Sequence, residues 1–259
     1  MSFRANLGKP AISAATPSVL SLLSTLLFCL AAGARGETLG WAYLGLVLCS
    51  AAAAALRARA SLLLALFSLL FSTLPAPGAS GLGAPRLFVA LSATFLLSLP
   101  FAQARPLLRR TLRAGRIDAK LLAISAALGC VFSVATAAWL RLSGPEFLPK
   151  LPVAGTGEPF SSGLLAAANA AIEEITFRGF FLACLRASGV GSATSVLAQA
   201  IAFGASHVEG IPSGPLGVSL AFLFGLATGA LRERSGGILS PWFAHFLVDL
   251  FAFLFLLRD

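Results

Sequence analysis

Three short patterns in the second half of the chain set acids, bases and a cation at helical spacing. They are Glu173-Glu174-x-x-x-Arg178, Phe203-x-x-x-His207 and His245-x-x-x-Asp249, and they use the only two histidines of the sequence. Each lies in an apolar stretch, where a charged group is costly and persists mainly where it pairs or works. Positions four apart share a helix face, so Glu174 and Arg178 can pair and neutralise one another. Glu173 points about 100° away from Glu174, and the two carboxylates therefore take different tasks. The simplest division has Glu173 facing a cavity and Glu174–Arg178 acting as a structural pair. Asn169, one turn before Glu173, is placed to hydrogen-bond it. A poorly solvated glutamate suits the work of a general base. His245 and Asp249 also share a face, which suggests a carboxylate fixing one imidazole nitrogen and freeing the other. Phe203, one turn before His207, reads as packing. Helix packing can gather Glu173, His207 and His245 around one cavity, although spacing alone does not show that it does.

Composition says what must carry these groups. The chain of 259 residues is 58% hydrophobic and 11% charged, with mean hydropathy +0.89, far from a soluble average. Without water in the bilayer core, backbone groups must bond within each segment, which selects helices. The Ala-, Leu- and Gly-rich runs lack the alternation of a barrel. A net charge of +9 would suggest nucleic acid in a soluble domain, but here basic residues sit at the ends of apolar runs. There they orient helices and meet anionic headgroups, so no nucleic-acid partner is expected. Cys29, Cys49, Cys130 and Cys184 are scattered singly without C-x-x-C spacing and read as small buried packing residues.

Apolar runs fall at about 17–32, 40–56, 61–74, 87–104, 121–140, 162–185, 192–207, 215–231 and 238–257. The first resembles a signal peptide but reads better as an uncleaved anchor. The expected fold is all-α: a polytopic membrane protein of about eight or nine transmembrane helices. Residues 1–140 form N-terminal helices with little intramembrane polar chemistry. A loop at 141–161 follows, where Pro145, Pro149, Pro152 and Pro159 discourage a continued helix. A catalytic core of the last four helices occupies 162–259. With the N-terminus in the cytoplasm, most basic loop residues, including the run from Arg105 to Lys120, fall inside, as the positive-inside rule requires. Arginine outnumbers lysine, a hint of a high-GC bacterial genome, and the expected location is the bacterial cytoplasmic membrane.

The three motifs, in this order and each in an apolar helix, resemble the CPBP intramembrane proteases. That family comprises CAAX prenyl endopeptidases and bacteriocin-processing or self-immunity proteins. Phe177-Arg178-Gly179 and the helix containing Gly225 fit the same pattern, and the resemblance covers about residues 162–257. It implies a glutamate-dependent endopeptidase: Glu173, assisted by His207, would activate water, while His245 and the residue at 249 would stabilise the oxyanion. Prenyl endopeptidases typically carry asparagine at that last position, whereas this chain has Asp249. An ionised aspartate cannot donate a hydrogen bond to an oxyanion, so Asp249 either stays protonated in its apolar site or orients and charges His245. The departure puts prenylated substrates in question. Two classes compete, prenylated C-terminal tails and C-terminal sorting tails with their own membrane helix. Because prenylated proteins are uncommon in bacteria the second, taken by the sortase-like myxosortases of the family, is the one expected.

Glu173, His207, His245 and Asp249 also have metal-ligand chemistry, but the H-E-x-x-H spacing of zinc proteases is absent. The resemblance implies no obligatory metal, and no cofactor is expected; inhibition by chelators, reversed by zinc, would say otherwise. The partners expected are a membrane-anchored protein substrate and the bilayer. Two other classes compete with the protease: a non-catalytic immunity or scaffold protein of the same fold, and a proton-coupled transporter. Against the transporter, the sequence has no internal pseudo-repeat and no paired broken helices.

Overall fold

The apolar runs become helices. In the computed structural model the described residues are 15–33, 37–56, 58–74, 84–98, 105–143, 159–208 and 210–256. They form α1 (Ala15–Gly33), α2 (Glu37–Ala55), α3 (Arg59–Thr73), α4 (Ala84–Ser98), α5 (Arg105–Thr111) and α6 (Ala119–Ser143). There follow α7 (Pro159–Glu174), a π-helical segment (Ile175–Phe181), α8 (Leu182–Ala187), α9 (Ser192–Ser206), α10 (Gly214–Ser235) and α11 (Leu239–Phe251). A second π-helical segment, Ala252–Leu256, continues α11. The expected proline-rich loop lies mostly outside the described residues.

The expected number of spans needs correction. Among the described residues, three helical stretches are long and apolar enough to cross a membrane: Ala15–Ala32, Ala119–Leu142 and Gly214–Ser235. Four more, Trp41–Ala55, Arg59–Thr73, Leu87–Leu97 and Leu239–Leu254, are apolar but of 10–17 residues. A 15-residue helix is only about 22 Å long, against about 30 Å of hydrocarbon. The run expected at 162–185 is helical but not smoothly apolar. It contains Glu173, Glu174 and Arg178 and changes to π geometry directly after the two acids. The chain is thus an all-α, membrane-associated protein with three long apolar helices and several shorter ones packed beside them.

One apolar core joins the early helices to the late ones. Phe28 of α1 meets Phe181 at 5.2 Å, Phe67 of α3 meets Phe180 at 5.4 Å, and Phe95 of α4 meets Phe180 at 5.8 Å, all between ring centroids. These separations suit tilted and edge-to-face aromatic packing. A buried hydroxyl node sits at one edge of this core. Ser21 Oγ lies 2.7 Å from Ser188 Oγ and donates to Ser61 Oγ at 3.0 Å, while Ser18 Oγ donates to the Ser188 carbonyl at 2.7 Å. Of the cysteines, Cys49 and Cys184 are buried and Cys29 is half-buried, but Cys130 lies on an exposed face of α6, contrary to its expected packing role.

The serine node places the starts of α1 and α3 beside the end of α8. Other contacts add to the same end of the bundle. Arg232 of α10 donates through Nη2 to the Arg110 carbonyl at 3.0 Å, and Ser192 at the start of α9 donates to Glu233. The extended stretch after α5 is stitched to the α10–α11 turn, with Arg116 N donating to Ser235 O and Ile238 N to Arg113 O. This end therefore gathers Arg59, Arg110, Arg113, Arg116, Lys120, Arg186, Arg232 and Arg234. At the opposite end Trp139 of α6 donates through Nε1 to Ser213 O before α10. Among the residues whose side chains are described, the basic group there is Arg141.

Glycine makes the stitched turn possible. A Cβ on Gly237 would stand 2.0 Å from the Ala114 carbonyl carbon, whereas one on Gly163 would meet nothing within 4 Å. Gly237→Ala is expected to destabilise the protein by about 1–3 kcal/mol through overpacking against backbone. Gly163→Ala should leave stability level or slightly raised, helix propensity favouring alanine. Thermal unfolding of both variants in detergent compares them, and equal melting temperatures would contradict the clamp.

Candidate active site

The small-residue face of α7 leads straight to the two acids. Its buried positions are Ser162, Ala166, Ala170, Glu173 and Glu174, a stripe at helical period that lets neighbouring helices approach closely. α11 packs against both α7 and α6. The close fit to α6 is at Gly129, where a Cβ would lie 2.8 Å from Leu247 Cβ. On the other side α9 and α10 pack tightly, a Cβ on Gly225 lying 3.0 Å from Ala200 Cα. The ends of α7 and α9 and the middles of α10 and α11 thus converge.

The structure brings all four expected catalytic residues together. Glu173, His207, His245 and Asp249 line one cavity of about 100 Å³, with Asn169 and Phe203 also in its wall. That volume has room for several waters. Glu173, His207 and His245 are each less than a tenth exposed, and Glu173 Oε2 is buried without a hydrogen-bond partner. Asn169 bridges the two acids of the wall, its amide donating to Glu173 Oε1 at 3.3 Å and to Asp249 Oδ2 at 3.0 Å. The expected link from Asn169 to Glu173 is present, and it extends across to α11.

His207 caps the C-terminus of α9. Its Nδ1 lies 2.8 Å from the Phe203 carbonyl, which can only accept, so Nδ1 carries the hydrogen and donates. Nε2 is left for the cavity. Phe203 packs as expected and also lies under Arg178, whose guanidinium carbon is 4.2 Å from the ring centre, within cation–π range. The same ring lies 4.6 Å from the imidazole of His207 and 6.0 Å, edge-on, from that of His245.

The partner of His245 differs from expectation. Its Nδ1 lies 2.8 Å from Glu174 Oε1, while Asp249 Oδ1 stands 3.6 Å from Nε2, beyond good hydrogen-bond range. Glu173 Oε2 is 3.7 Å from the same Nε2. The group that fixes the ring is therefore Glu174 across the helix interface, rather than Asp249 one turn along. Glu174 still pairs with Arg178, Oε1 to Nη1 at 2.9 Å, with both side chains fully buried. One carboxylate oxygen thus holds a cation and an imidazole at once, and the pair has a task beyond holding its own helix. Spacing could not reveal this contact, because the residues lie 71 positions apart.

Two supports carried no signal in the sequence. Arg178 donates through Nη2 to Thr228 of α10, and its backbone carbonyl accepts from Arg232 Nε at 3.2 Å. The π-helical segment begins immediately after Glu174. Such segments widen a helix locally and often accompany functional sites. Gly179 within it lets the Thr111 carbonyl approach, since a Cβ there would stand 2.7 Å from that oxygen. Among the described residues, no group of three or more His, Cys, Asp or Glu side chains is arranged to hold a metal ion.

Removing one member of the buried ion pair strands the other. Arg178→Met is expected to cost about 3–5 kcal/mol, the usual penalty for an uncompensated buried charge. The double variant Glu174→Gln with Arg178→Met should regain part of that loss. Unfolding in detergent reads both, and a double variant no better than the single would show that the pair is not what couples them.

Residues 156–251 match the family model described as type II CAAX prenyl endopeptidase Rce1-like, and every residue of the cavity constellation falls in that stretch. Comparison with curated proteins and with solved structures yields no match. The similarity to the Rce1-like CAAX protease family thus covers the stretch that carries Glu173, His207, His245 and Asp249.

Proposed function

We propose that this protein is an intramembrane endopeptidase that cuts a membrane-anchored protein near its C-terminus. The observation that carries the reading is the meeting of Glu173, His207, His245 and Asp249 around one small cavity. In the reaction, Glu173 takes a proton from a water in the cavity as the water oxygen attacks the scissile carbonyl carbon. His207, its Nδ1 hydrogen engaged by the Phe203 carbonyl, aligns that water through Nε2. His245, with hydrogens on both ring nitrogens and Nδ1–H held by Glu174, donates Nε2–H to the oxygen that gains charge and stabilises it. Glu174 orients His245 from behind, and Asp249, tied to Glu173 through Asn169, positions the same wall. The proton held by Glu173 then passes to the leaving nitrogen and the C–N bond breaks, giving a new carboxylate and a new amine.

The membrane setting completes the proposal. The four shorter apolar helices and the run from Pro159 to Ala187 are read as embedded beside the three long ones. The gathering of basic residues at one end of the bundle supports a cytoplasmic location for that end and for the N-terminus. The cytoplasmic membrane of a bacterium is the proposed site of action. Asp249, in place of the asparagine typical of prenyl endopeptidases, weakens the case for prenylated substrates, and the rarity of prenylated proteins in bacteria favours sorting-type tails.

The test compares C-terminal peptides of membrane and surface proteins by mass spectrometry in wild-type, deletion, Glu173→Gln and Glu174→Gln strains. Glu173→Gln is expected to slow cleavage about 10²–10⁴-fold, leaving one set of proteins with uncut tails as in the deletion. Glu174→Gln should slow it less, by about tenfold or more, because it loosens His245 without removing the base. If the deletion alone changes any tail, the fold serves binding or immunity and the hydrolytic reading fails.

A further inference from the structure

Apart from α7, which lines the cavity with Asn169 and Glu173 close to its C-terminal end at mid-bundle, the wall is built from one half of each contributing helix, the half away from the arginines. On α9 the lining positions are Phe203 and His207 at its end, and on α10 they are Leu220 and Phe224 in its first half. On α11 the lining starts at His245 and runs on to Phe253, leaving out the first turn next to the stitched arginine-end loop. α6, α3 and α4 follow the same rule. α6 contributes Thr136 from its second half, α3 contributes Phe71 from its last turns, and α4 contributes Leu87 from its first.

Towards the other end the cavity has a floor. Glu174 and Arg178 are fully buried directly below Glu173, with Phe177 and Phe181 beside them at 0% exposure. None of these four lines the cavity. Beneath them Arg232 binds the Arg178 carbonyl and, through the Arg110 carbonyl, closes α5 over the π-helical segment. The site is thus sealed on its arginine-rich side by an ion pair and an aromatic layer, and its wall extends only the other way.

We infer that the cavity opens to the extracytoplasmic side of the membrane. Basic residues mark the cytoplasmic end of a helical membrane protein, and here they lie beneath the floor. Taken with the proposed peptidase activity, on which this part rests, the substrate is an exported protein presenting its scissile bond at the outer half of the bilayer. The part of the wall farthest from the arginines is apolar, with Phe71, Leu87 and Phe253, which suits the apolar side chains of a membrane-embedded segment. A cytoplasmic lipidated tail would meet the sealed side.

Cysteine accessibility tests the opening independently of any cleavage. Cys29, Cys49, Cys130 and Cys184 are replaced by serine or alanine in the full chain, and single cysteines are introduced as Thr136→Cys, Leu220→Cys or Ile117→Cys. Thr136 and Leu220 line the cavity, while Ile117 is exposed in the arginine-end loop. A charged, membrane-impermeant maleimide is applied to spheroplasts and to inverted vesicles. The expected result is modification of Thr136→Cys and Leu220→Cys from the spheroplast side only, and of Ile117→Cys from the inverted side only. Reaction of the two cavity positions from the cytoplasmic side, from both sides or from neither overturns the inference. If the cysteine-free chain fails to accumulate, the same positions are tested with Cys130→Ser alone, and labelling of that parent is subtracted. Accessibility from outside with no cleaved substrate in the peptide comparison would sink the peptidase reading while leaving the opening intact.

Discussion

A single carboxylate oxygen, Glu174 Oε1, holds the centre of the molecule together. It lies 2.9 Å from Arg178 Nη1 and 2.8 Å from His245 Nδ1, in a place that water does not reach. In such surroundings an unpaired charge is very costly, so each of the three groups depends on the others being in place. Arg178 in turn binds Thr228 on α10 and lies over the ring of Phe203 on α9. Four helical elements are thereby referred to one atom. The neighbouring Glu173, rotated about 100° around the helix, is then free to face the cavity.

The packing around this atom explains why the site can be both dry and spacious enough for water. Below it, Phe177, Phe180 and Phe181 fill the π-helical segment and meet the rings of α1, α3 and α4. Above it, small residues on α7 and close glycine contacts on α6 and α10 bring the backbones together without filling the space between the side chains. Asn169 spans that space and keeps the two wall acids from standing as isolated neighbours. Water can then sit beside Glu173, but the lower side of the site is shut.

Much of this was legible in the residues, and the reasons differ from one feature to the next. Contacts within a helix were readable because spacing fixes them: Glu174 with Arg178, Asn169 with Glu173, and Phe203 against His207. The positions of the helices followed from apolar runs. Their number as membrane spans did not, because 15-residue runs such as α3 look membranous in composition yet fall short in length. Contacts between helices were not readable at all. His245 was expected to lean on Asp249 one turn away but leans on Glu174, and Thr228 carries no mark that would single it out. The direction of the cavity was equally hidden, since it depends on which half of each helix faces inward.

The most direct test uses the fact that the chain has two histidines. Protein labelled with ¹⁵N in the histidine rings, purified in detergent or bilayers, should give two sets of imidazole signals. His207 should appear as the Nδ1–H form with a bare Nε2, and His245 as a ring whose Nδ1–H is held in a hydrogen bond to a carboxylate. Glu174→Gln should change the His245 signals most, and Glu173→Gln should move those of both histidines. Two averaged, freely exchanging imidazoles, or signals indifferent to Glu173 and Glu174, would contradict the shared cavity on which the proposed chemistry depends.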